Sequence, residues 1–555
     1  MTFETFIPPR AKNVLEVTGE VSADFQDSRE NFLAIQPECN YIVEKKFISS
    51  DKKFDAIILQ NNLIENLSHD ELVELIKNFS AKLEKRGTLI FTLNNISYAE
   101  NVMAILQGQP LKFKTTLSKV ELQQAITDAK LNQLRTMSAG RRLNLPRNLV
   151  ELAKVDTSVF LHIITATPEE LPPKTLIQYS IGENLVCAPI RIHLPNSFFV
   201  TEPNISTTST LSGQPYKIFS AQKFENRIFI NQRISFSSFA RAKKLFDQLT
   251  SAGYLYLSEM DDHPILWEKD YKNSGYMNFV SVHAVQTSTK FLPDFLGQYN
   301  PHIKIFPNQL RRLLPPRNFD AEKNRPVTIF FGALNRDKEF NELLPILNQF
   351  AKDYGKKIAF KILARQQHFN ALQAENKILI GDPAQYDAQF VPYARYEDAL
   401  KTSDIALLPL QDNIFNRAKS DLKFIECANS GAVALASPVV YSDVIKDGEN
   451  GFIFKNLKDF SNKLKMLIES PEKRREVAEN AYNYVKHNRL MSQHYEERLN
   501  WYFELLARLP ELTKEAQARI EKIAPQFKDE PPEIPPQQNN SEGFLEPNAE
   551  IIIPV

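Results

Sequence analysis

The segment NRAKSDLKFIECANSGAVALASPVVYSDVIKDGENGFIF, residues Asn416 to Phe454, carries the pattern from which the fold is predicted. Lys419, Lys423 and Glu426 recur at the spacing of one helix face. The helix is expected to end at the sequence NSG, which closes with Gly431. The segment therefore opens with a helix that places two lysines and a glutamate near one another.

A strand and a glycine-containing turn are predicted after this helix. VALAS, residues 433–437, is a short apolar run, and DGENGF contains Gly448 and Gly451. Upstream, SDIALLPL is a continuous apolar run of the type found in strands that are buried on both faces. Short apolar runs alternate with amphipathic stretches through most of the chain, which predicts α/β units with parallel sheets.

The turn after the first strand of this block is a candidate phosphate site. VTIFFGALN, residues 327–335, is interpreted as a strand that enters a turn at Gly332, with a helix after it. A strand, a tight turn and a helix N-terminus place backbone N–H groups where a phosphate can bind. Arg336 and Lys338 lie just past the turn and add the cationic donors that a diphosphate needs.

The predicted helix with Glu426 has two interpretations. Its carboxylate is suited to bind a ribose diol through both oxygens, and Lys419 and Lys423 are suited to phosphate groups. The same spacing also fits a surface helix with ion pairs three and four residues apart. The residues alone leave both interpretations open.

Taken in order, these pieces resemble the C-terminal domain of the retaining glycosyltransferases of family 4, which have the two-Rossmann-domain GT-B architecture. The resemblance covers Arg325 to His487 and implies a nucleoside diphosphate sugar as the donor substrate. The family shows a glycine-containing first turn, a phosphate-binding lysine, a helix ending in glutamate, a glycine turn, a strand ending in serine and a DGxNG turn. The corresponding residues here are Gly332, Lys338, Glu426, Gly431, Ser437, Gly448 and Gly451.

Two positions depart from the family pattern. Ala333 stands where the family often has an arginine, so Arg336 is the candidate replacement. Ala418 stands where the family often has a glutamate that touches the donor sugar, whereas Glu426 fills the place of the ribose-binding glutamate. No particular sugar is therefore predicted. The predicted nucleotide- and phosphate-binding residues are Gly332, Arg336, Lys338, Lys419, Ser420, Lys423 and Glu426.

Residues 175–318 resemble the acceptor domain that a GT-B enzyme places before the donor domain, with the active site between the two. The predicted strand YLYLSEMDDHP ends at Asp261, Asp262 and His263. These three are the candidate catalytic residues, because paired carboxylates beside a histidine can orient an acceptor hydroxyl or accept its proton. Capping of the strand end is the alternative. No metal is predicted, since GT-B enzymes generally hold the diphosphate with lysine, arginine and helix dipoles.

Three further side chains of this block are singled out. Arg191, on a predicted strand, and Arg233 are candidates for the cleft between the two domains. His283 lies on an apolar strand and is interpreted as a hydrogen-bonded core histidine.

Residues 1–167 resemble a Rossmann-type S-adenosylmethionine-dependent methyltransferase. NVLEVTGEVSADF places Glu16 and Gly19 after an apolar strand, and Glu44 ends the next one. Such enzymes usually carry several glycines where the chain passes under the cofactor, because only a backbone without Cβ lets the ligand approach. Gly19 alone occupies that stretch here. A scaffold or docking module is therefore expected, and S-adenosylmethionine is not expected as a cofactor.

Composition limits the remaining alternatives. Lys+Arg and Asp+Glu are equal at 67 each, so no overall field attracts nucleic acid or an anionic membrane. The cysteines, Cys39, Cys187 and Cys427, show no metal-binding or disulfide spacing, which fits a cytoplasmic protein. Residues 525–555 are rich in Pro, Gln, Asn and Glu and are predicted to be a flexible tail, through which a membrane or assembly partner could be contacted.

The sequence therefore predicts an α/β protein with three Rossmann-like domains, 1–167, 175–318 and 325–509, of which the last two form a GT-B pair. The expected activity is transfer of a sugar from a nucleoside diphosphate sugar to a glycan, a lipid-linked glycan or a protein, with retention. Two alternatives remain: an enzyme with additional methyltransferase activity, and a non-catalytic GT-B-like binding protein, which Ala418 favours.

Overall fold

The fold is α/β throughout. The computed structural model describes residues 4–18, 25–45, 52–94, 107, 117–139, 161–182, 187–322, 325–332, 336–381 and 391–527. Within these ranges the chain forms three six-stranded sheets, one after another along the sequence. The predicted α/β fold class with three Rossmann-like units is confirmed, and the pairing of the last two units as in GT-B proteins stays a prediction.

The first sheet is mostly parallel, in the order β2-β1-β3-β4-β6-β5, and β6 runs antiparallel to both of its neighbours. Its helices begin at strong local signals: Ser68 and Ser118 each form a capping box with the glutamate three residues later. The strands are β1 (Asn13–Val17), β2 (Asn40–Glu44), β3 (Phe54–Leu59), β4 (Leu83–Asn94), β5 (Asn132–Ala139) and β6 (Leu161–Thr167). The helices are α1 (Gln26–Ile35), α2 (Asn61–Ile64), α3 (His69–Ser80) and α4 (Lys119–Asp128), with a 3-10 helix at Glu4–Phe6.

The second sheet is fully parallel, in the order β12-β11-β10-β9-β7-β8. Its strands are β7 (Thr175–Ile181), β8 (Ile205–Leu211), β9 (Asn226–Gln232), β10 (Leu255–Met260), β11 (Ala284–Thr287) and β12 (Ile303–Ile305). Its helices are α5 (Leu194–Phe199), α6 (Phe239–Ser251), α7 (Glu268–Asn273), α8 (Met277–Val280) and α9 (Leu292–Leu296). A π-helical turn, Pro189–His193, and two 3-10 helices, Pro264–Trp267 and Phe319–Glu322, complete this part.

The predicted strand around Arg191 was wrong. Arg191 lies in the π-helical turn that leads into α5, and its side chain is buried. A short apolar run between turn signals fits a buried helix as well as a buried strand, and Pro189 and Pro195 each stand in the first turn of a helical segment, where proline is tolerated.

The third sheet is also fully parallel, in the order β15-β14-β13-β16-β17-β18. Its central strands are almost entirely apolar and buried, as expected for strands covered by helices on both faces. The six strands of this sheet are β13 (Val327–Phe331), β14 (Ile358–Leu363), β15 (Lys377–Ile380), β16 (Ile405–Leu408), β17 (Val433–Ala436) and β18 (Phe452–Ile453). The helices are α10 (Asp337–Tyr354), α11 (Gln366–Ala371), α12 (Tyr393–Lys401), α13 (Ile414–Arg417), α14 (Leu422–Asn429), α15 (Leu457–Glu469) and α16 (Pro471–Asn488), with 3-10 helices at Gly355–Lys357 and Tyr441–Asp443.

The last two helices return to the second sheet. After a 3-10 helix at Met491–Gln493, α17 (Tyr495–Ala507) and α18 (Leu509–Ile523) pack into the two apolar cores that cover that sheet. The Tyr502 hydroxyl donates to Gln286 Oε1 at 2.7 Å. The 3-10 helix Ala524–Phe527 includes the first residues of the predicted tail, and the Phe527 ring stacks on Phe239 at 4.9 Å. The tail from residue 528 onward lies outside the described residues.

The first domain is fixed to the second by a buried carboxylate. Glu202, just past α5, accepts hydrogen bonds from Arg10 at 3.2 Å, from Arg86 at 2.9 Å and from the Tyr495 hydroxyl at 2.7 Å. Two of these partners belong to the first domain and one to α17. The Leu313 amide also donates to the Ala34 carbonyl at 2.7 Å, which joins the first domain to the chain segment before β13.

No helix in the described ranges combines the length and the apolar character required to cross a bilayer.

His283 is a hydrogen-bonded core histidine. Its Nδ1 accepts from the Tyr256 amide at 2.8 Å, which leaves the proton on Nε2, and Nε2 lies 3.1 Å from the Thr513 hydroxyl in α18. The ring is fully buried. Burial, with a smaller contribution from the charge of Arg519, lowers the pKa of His283 to about 3.

This depressed pKa predicts a pH dependence of stability. An unfolded histidine titrates near pH 6.5, so the unfolded state binds the additional proton between about pH 3 and 6.5. The free energy of unfolding should therefore rise with pH across this window, by up to about 1.4 kcal/mol per pH unit from this residue. Denaturant titrations at several pH values measure the slope. His283→Gln should flatten it, while His487→Gln, at an exposed side chain, should not. Equal slopes in wild type and His283→Gln would contradict this account.

Candidate functional site

The candidate site lies at the carboxyl edge of the third sheet. From β13, strands β14 and β15 continue to one side, and β16, β17 and β18 to the other. The strand order therefore reverses between β13 and β16, which is where open α/β sheets leave a crevice for a ligand. Gly332 follows β13 directly, and α10 begins five residues later.

Gly332 packs closely against its neighbours. A Cβ added there would lie 2.2 Å from the Phe330 ring and 3.2 Å from Cβ of Leu363. A side chain at position 332 therefore requires the Phe330 ring to move. Ala333 and the rest of the predicted phosphate turn, residues 333–335, lie outside the described residues.

The two cations predicted beyond this turn differ in their surroundings. Arg336 is the N-cap residue of α10, and its Nη1 lies 3.9 Å from Glu339 Oε1. Lys338 is exposed in the first turn of the same helix. The positive end of the helix dipole and the side chains of Arg336 and Lys338 thus lie at one helix N-terminus, a combination that suits an anion.

Glu426 is buried, which removes the surface-helix interpretation for its carboxylate. Its side chain is only 4% exposed, and Oε2 accepts from the Tyr396 hydroxyl at 2.8 Å and from Lys423 Nζ at 3.2 Å. Burial, followed by the charge of Glu426, raises the pKa of Tyr396 well above its ordinary value, so this hydroxyl remains a donor. A hydrogen-bonded carboxylate of this kind is held in one orientation, as binding of a diol requires.

Lys423 is occupied within the protein. Its ammonium lies 3.9 Å from the centre of the Tyr396 ring and also bonds Glu426. The phosphate contact of Lys423 stays a prediction. Within the protein, its ammonium group neutralises the buried Glu426 carboxylate, and an unpaired charge at that place would lower the stability of the fold.

Lys419 and Ser420 reach the second domain. Lys419 Nζ lies 2.6 Å from Asp262 Oδ1, and the Ser420 hydroxyl accepts from Asn308 Nδ2 at 2.9 Å. The Ala418 carbonyl accepts from the Thr289 hydroxyl at 3.4 Å. Three consecutive residues before α14 therefore touch the domain that precedes them, and this is where the two predicted halves of the site meet.

The predicted catalytic carboxylates lie on the other side of the same boundary. Asp261 and Asp262 follow the end of β10, and the Arg233 guanidinium bonds both of them, reaching Asp262 Oδ2 at 2.5 Å. Burial opposes ionisation of Asp261, but the charge and hydrogen bond of Arg233 outweigh it and hold the pKa of Asp261 below its ordinary value. The Asp261 carboxylate is therefore an acceptor rather than a proton donor near neutral pH.

His263 has a local structural contact. Its Nδ1 accepts from the Ile265 amide at 3.2 Å and so caps the helix Pro264–Trp267, while its ring packs 4.7 Å from Phe295. Burial lowers the pKa of His263, which favours the neutral ring that this acceptor role needs. His263 thus caps the helix that follows rather than the strand end, whereas the two aspartates face cations.

Several residues of the site have no signal in the sequence. Tyr396, which orients Glu426, lies on a different helix, and only its place on the buried face of α12 could have drawn attention to it. Three more residues lie where the second and third domains meet, and none was singled out from the sequence. Arg489 forms an ion pair with Asp421 at 2.8 Å and donates to the Asn308 carbonyl at 2.7 Å. Within the described part of the chain, no three His, Cys, Asp or Glu side chains are grouped as metal ligands.

The comparisons with known proteins point to the same part of the molecule. Residues 351–501 match the family described as glycosyl transferase-like. This glycosyl transferase-like segment contains Lys419, Ser420, Lys423 and Glu426, and it begins after the turn at Gly332. No curated protein matches the sequence.

Solved structures that are similar to the chain share little sequence with it. Sucrose-phosphate synthase from Thermosynechococcus elongatus is 11% identical, with a TM-score of 0.44, over 60% of this chain and 99% of its own. HepE from Anabaena, in complex with UDP, is 12% identical, with a TM-score of 0.42, over 59% of this chain and 99% of its own. A mutant of TarM from S. aureus, in complex with fondaparinux, alpha-GlcNAc-glycerol and UDP, is 12% identical, with a TM-score of 0.38, over 88% of this chain and 99% of its own.

The packing at Gly332 gives a testable expectation. Gly332→Ala should lower the free energy of unfolding by about 1–3 kcal/mol, because the added methyl group must displace the Phe330 ring. Phe330→Leu in the same chain should recover part of the loss, since the shorter side chain vacates the contact. Denaturant unfolding of both single variants and the double variant measures the coupling. If the two effects simply add, the contact is not the cause.

Proposed function

We propose that this protein is a glycosyltransferase that moves a sugar from a nucleoside diphosphate sugar to a glycan, a lipid-linked glycan or a protein acceptor, with retention at the anomeric carbon. One observation carries the proposal. The glycosyl transferase-like segment, residues 351–501, contains a buried, oriented glutamate at the edge of a fully parallel sheet, beside the point where the strand order reverses.

The donor nucleotide is proposed to bind across this edge. Glu426 accepts the ribose hydroxyls, with Tyr396 and Lys423 holding its carboxylate in place. The diphosphate lies at the N-terminus of α10, where backbone N–H groups, Arg336 and Lys338 supply positive charge. The resemblance in the sequence implies these roles, and the burial of Glu426 supports the first of them.

The reaction requires stabilisation of a departing nucleoside diphosphate. The bond between the anomeric carbon and the diphosphate oxygen breaks, and the acceptor oxygen bonds to the same carbon from the same face. The proton of the acceptor hydroxyl passes to the departing diphosphate. Fixed cations and a helix dipole stabilise the negative charge that the leaving group develops. Asp261 and Asp262 are proposed to orient the acceptor hydroxyl, because the cations beside them hold both carboxylates in place. Neither a metal nor another cofactor is proposed.

The first domain is proposed to be a docking module. Glu16, near the end of β1, is fully buried, and its carboxylate accepts two bonds from Arg29 at 2.7 Å each and one from the Tyr41 hydroxyl at 2.8 Å. Gln60 also donates to it. A carboxylate with this many internal partners has little capacity left for a ligand. Gly19, the single glycine of the predicted cofactor loop, lies outside the described residues. The protein is proposed to act in the cytoplasm. Its tail is proposed to contact an assembly or membrane partner.

The docking proposal predicts no binding of S-adenosylmethionine. Titration calorimetry should give no saturable heat, which places any Kd above about 1 mM. The same titration with S-adenosylhomocysteine covers the product form. A measurable Kd that Glu16→Gln weakens would establish a cofactor site in the first domain and overturn the docking role.

The donor site predicts losses of nucleotide affinity. Glu426→Ala should weaken binding of the cognate nucleoside diphosphate about 10–100-fold, because a hydrogen-bonded charged group is lost. Tyr396→Phe should weaken it less and reduce the discrimination against the 2′-deoxynucleotide. Lys338→Ala should weaken the diphosphate but leave the nucleoside unaffected. Calorimetry with a panel of nucleotides, together with transfer and hydrolysis assays on the matching sugars, measures these effects.

Glu449→Ala, at an exposed position of the same domain, is the matched control and should change nothing. Full activity in both Glu426→Ala and Lys338→Ala would show that the site lies elsewhere. Tight nucleotide binding without turnover on any sugar would favour the non-catalytic alternative, for which Ala418 is the supporting residue.

A further inference from the structure

Three large apolar side chains stand exposed next to one another in the 3-10 helix Pro264–Trp267, here called the apolar turn. Ile265 is 41% exposed, Leu266 62% and Trp267 37%. Elsewhere in the described part of the chain, exposed large apolar side chains are separated along the sequence, as Val120 is. A single exposed apolar residue is normal, whereas a contiguous group indicates an interaction surface.

The apolar turn is fixed at both ends, so the exposure of its side chains is built into the fold. At its start, His263 Nδ1 accepts from the Ile265 amide at 3.2 Å, and Pro264 is buried. At its end, α7 is anchored by Tyr271, whose buried ring stacks on Phe279 at 5.6 Å. These anchors keep the apolar side chains in water, at a cost that burial against another surface would recover.

The residues that follow the apolar turn are polar, which limits the apolar surface to a narrow ridge. Glu268, Lys269 and Asp270 come directly after it and are exposed. Lys272 forms an ion pair with Glu268 at 2.8 Å, so positive and negative charges balance beside the ridge. A stable protein interface covers roughly 800 Å² on each partner, which is far more than three partly exposed side chains provide. The ridge is therefore too small to hold a protein partner or a second copy of the chain.

The apolar turn lies next to the carboxylates that are proposed to orient the acceptor. The Arg233 guanidinium bonds both Asp261 and Asp262. Its central carbon also lies 6.0 Å from the centre of the Trp267 ring, which is within the range of a cation–π contact. The surface that covers the apolar turn therefore also lies beside the acceptor.

We propose that the apolar turn inserts into the surface of a lipid bilayer. Tryptophan suits the headgroup region, and leucine and isoleucine suit the beginning of the acyl chains. Shallow insertion needs only a narrow apolar ridge, and the balanced charges beside it require no anionic lipid. The bilayer then lies beside Asp261 and Asp262, which makes a lipid-linked glycan the acceptor class. This last step rests on the proposed glycosyltransferase function, whereas insertion of the turn does not.

The fluorescence of Trp267 reports its own insertion. The chain has two tryptophans, Trp267 and Trp501, so Trp501→Phe leaves Trp267 as the single tryptophan. Titration of this variant with phosphatidylcholine vesicles should shift its emission to shorter wavelength, and lipids brominated near the headgroup should quench it.

Flotation with the same vesicles measures binding of the wild-type chain and needs no tryptophan variant. Wild type should float with vesicles at millimolar lipid, since a short apolar ridge gives weak, reversible binding. Leu266→Ser should lower the partition coefficient about fivefold or more, because the most exposed apolar side chain of the turn no longer gains by leaving water.

Val120→Ser is the matched control, because it removes an exposed apolar side chain of the first domain, on α4, and should leave flotation unchanged. Thermal unfolding checks that each variant is folded. Wild type that does not float, an emission of Trp267 that does not shift, or an equal loss in Val120→Ser overturns the proposal. Self-association without lipid that Leu266→Ser abolishes would assign the apolar turn to a second copy of the chain and overturn it as well.

Vesicle binding and the proposed function fail separately. Flotation uses neither donor nor acceptor, so its failure leaves the proposed glycosyltransferase standing. Failure to bind every nucleoside diphosphate would instead overturn the proposed function and leave the insertion of the apolar turn untouched.

Discussion

The ion-paired carboxylates at the end of β10 are the constraint on which the arrangement of the last two domains depends. Asp262 is bonded by Arg233 of its own domain and by Lys419 of the next, and both aspartates are largely removed from water. Burial of charge is tolerated because each carboxylate has a cation at hydrogen-bonding distance. The same contact sets the register between the two halves of the predicted site. Two further hydrogen bonds join the same two domains: the Asn308 amide donates to the Ser420 hydroxyl, and the Arg489 guanidinium donates to the Asn308 carbonyl.

Most of the fold could be predicted from the sequence, for a physical reason. Parallel strands that are buried on both faces are short apolar runs. This pattern is present in IFF of β13, IALL of β16 and VALA of β17, and it predicts a buried strand at each place. The turn Pro189–His193 was wrongly predicted as a strand, because a short apolar run fits a buried helix as well as a buried strand. The packing of α17 and α18 on the second sheet could not be predicted either, because periodicity identifies the apolar face of a helix but not the surface that covers it.

The candidate site was also only partly predictable from the sequence. Glu426 was singled out because it recurs with two lysines at helical spacing and fills the place of the ribose-binding glutamate in the family that the sequence resembles. The structure gives it Tyr396 and Lys423 as partners. Its orientation by Tyr396 was not predictable, since the two residues lie on different helices and their contact exists only after the third domain folds. Asp261 and Asp262 were predictable as a pair at a strand end. Their neutralisation by Arg233 and Lys419 depends on packing between strands and domains, which no local pattern encodes.

The return of α17 and α18 to the second sheet has a consequence for biosynthesis. It makes the second domain discontinuous: its sheet is complete by Ile305, but its core needs Leu499, Tyr502, Leu512 and Ile520 from the far end of the chain. On the ribosome the third domain can therefore finish folding while the second still exposes an apolar surface. A contiguous fragment can contain the third domain entirely, whereas no contiguous fragment can contain the second without it.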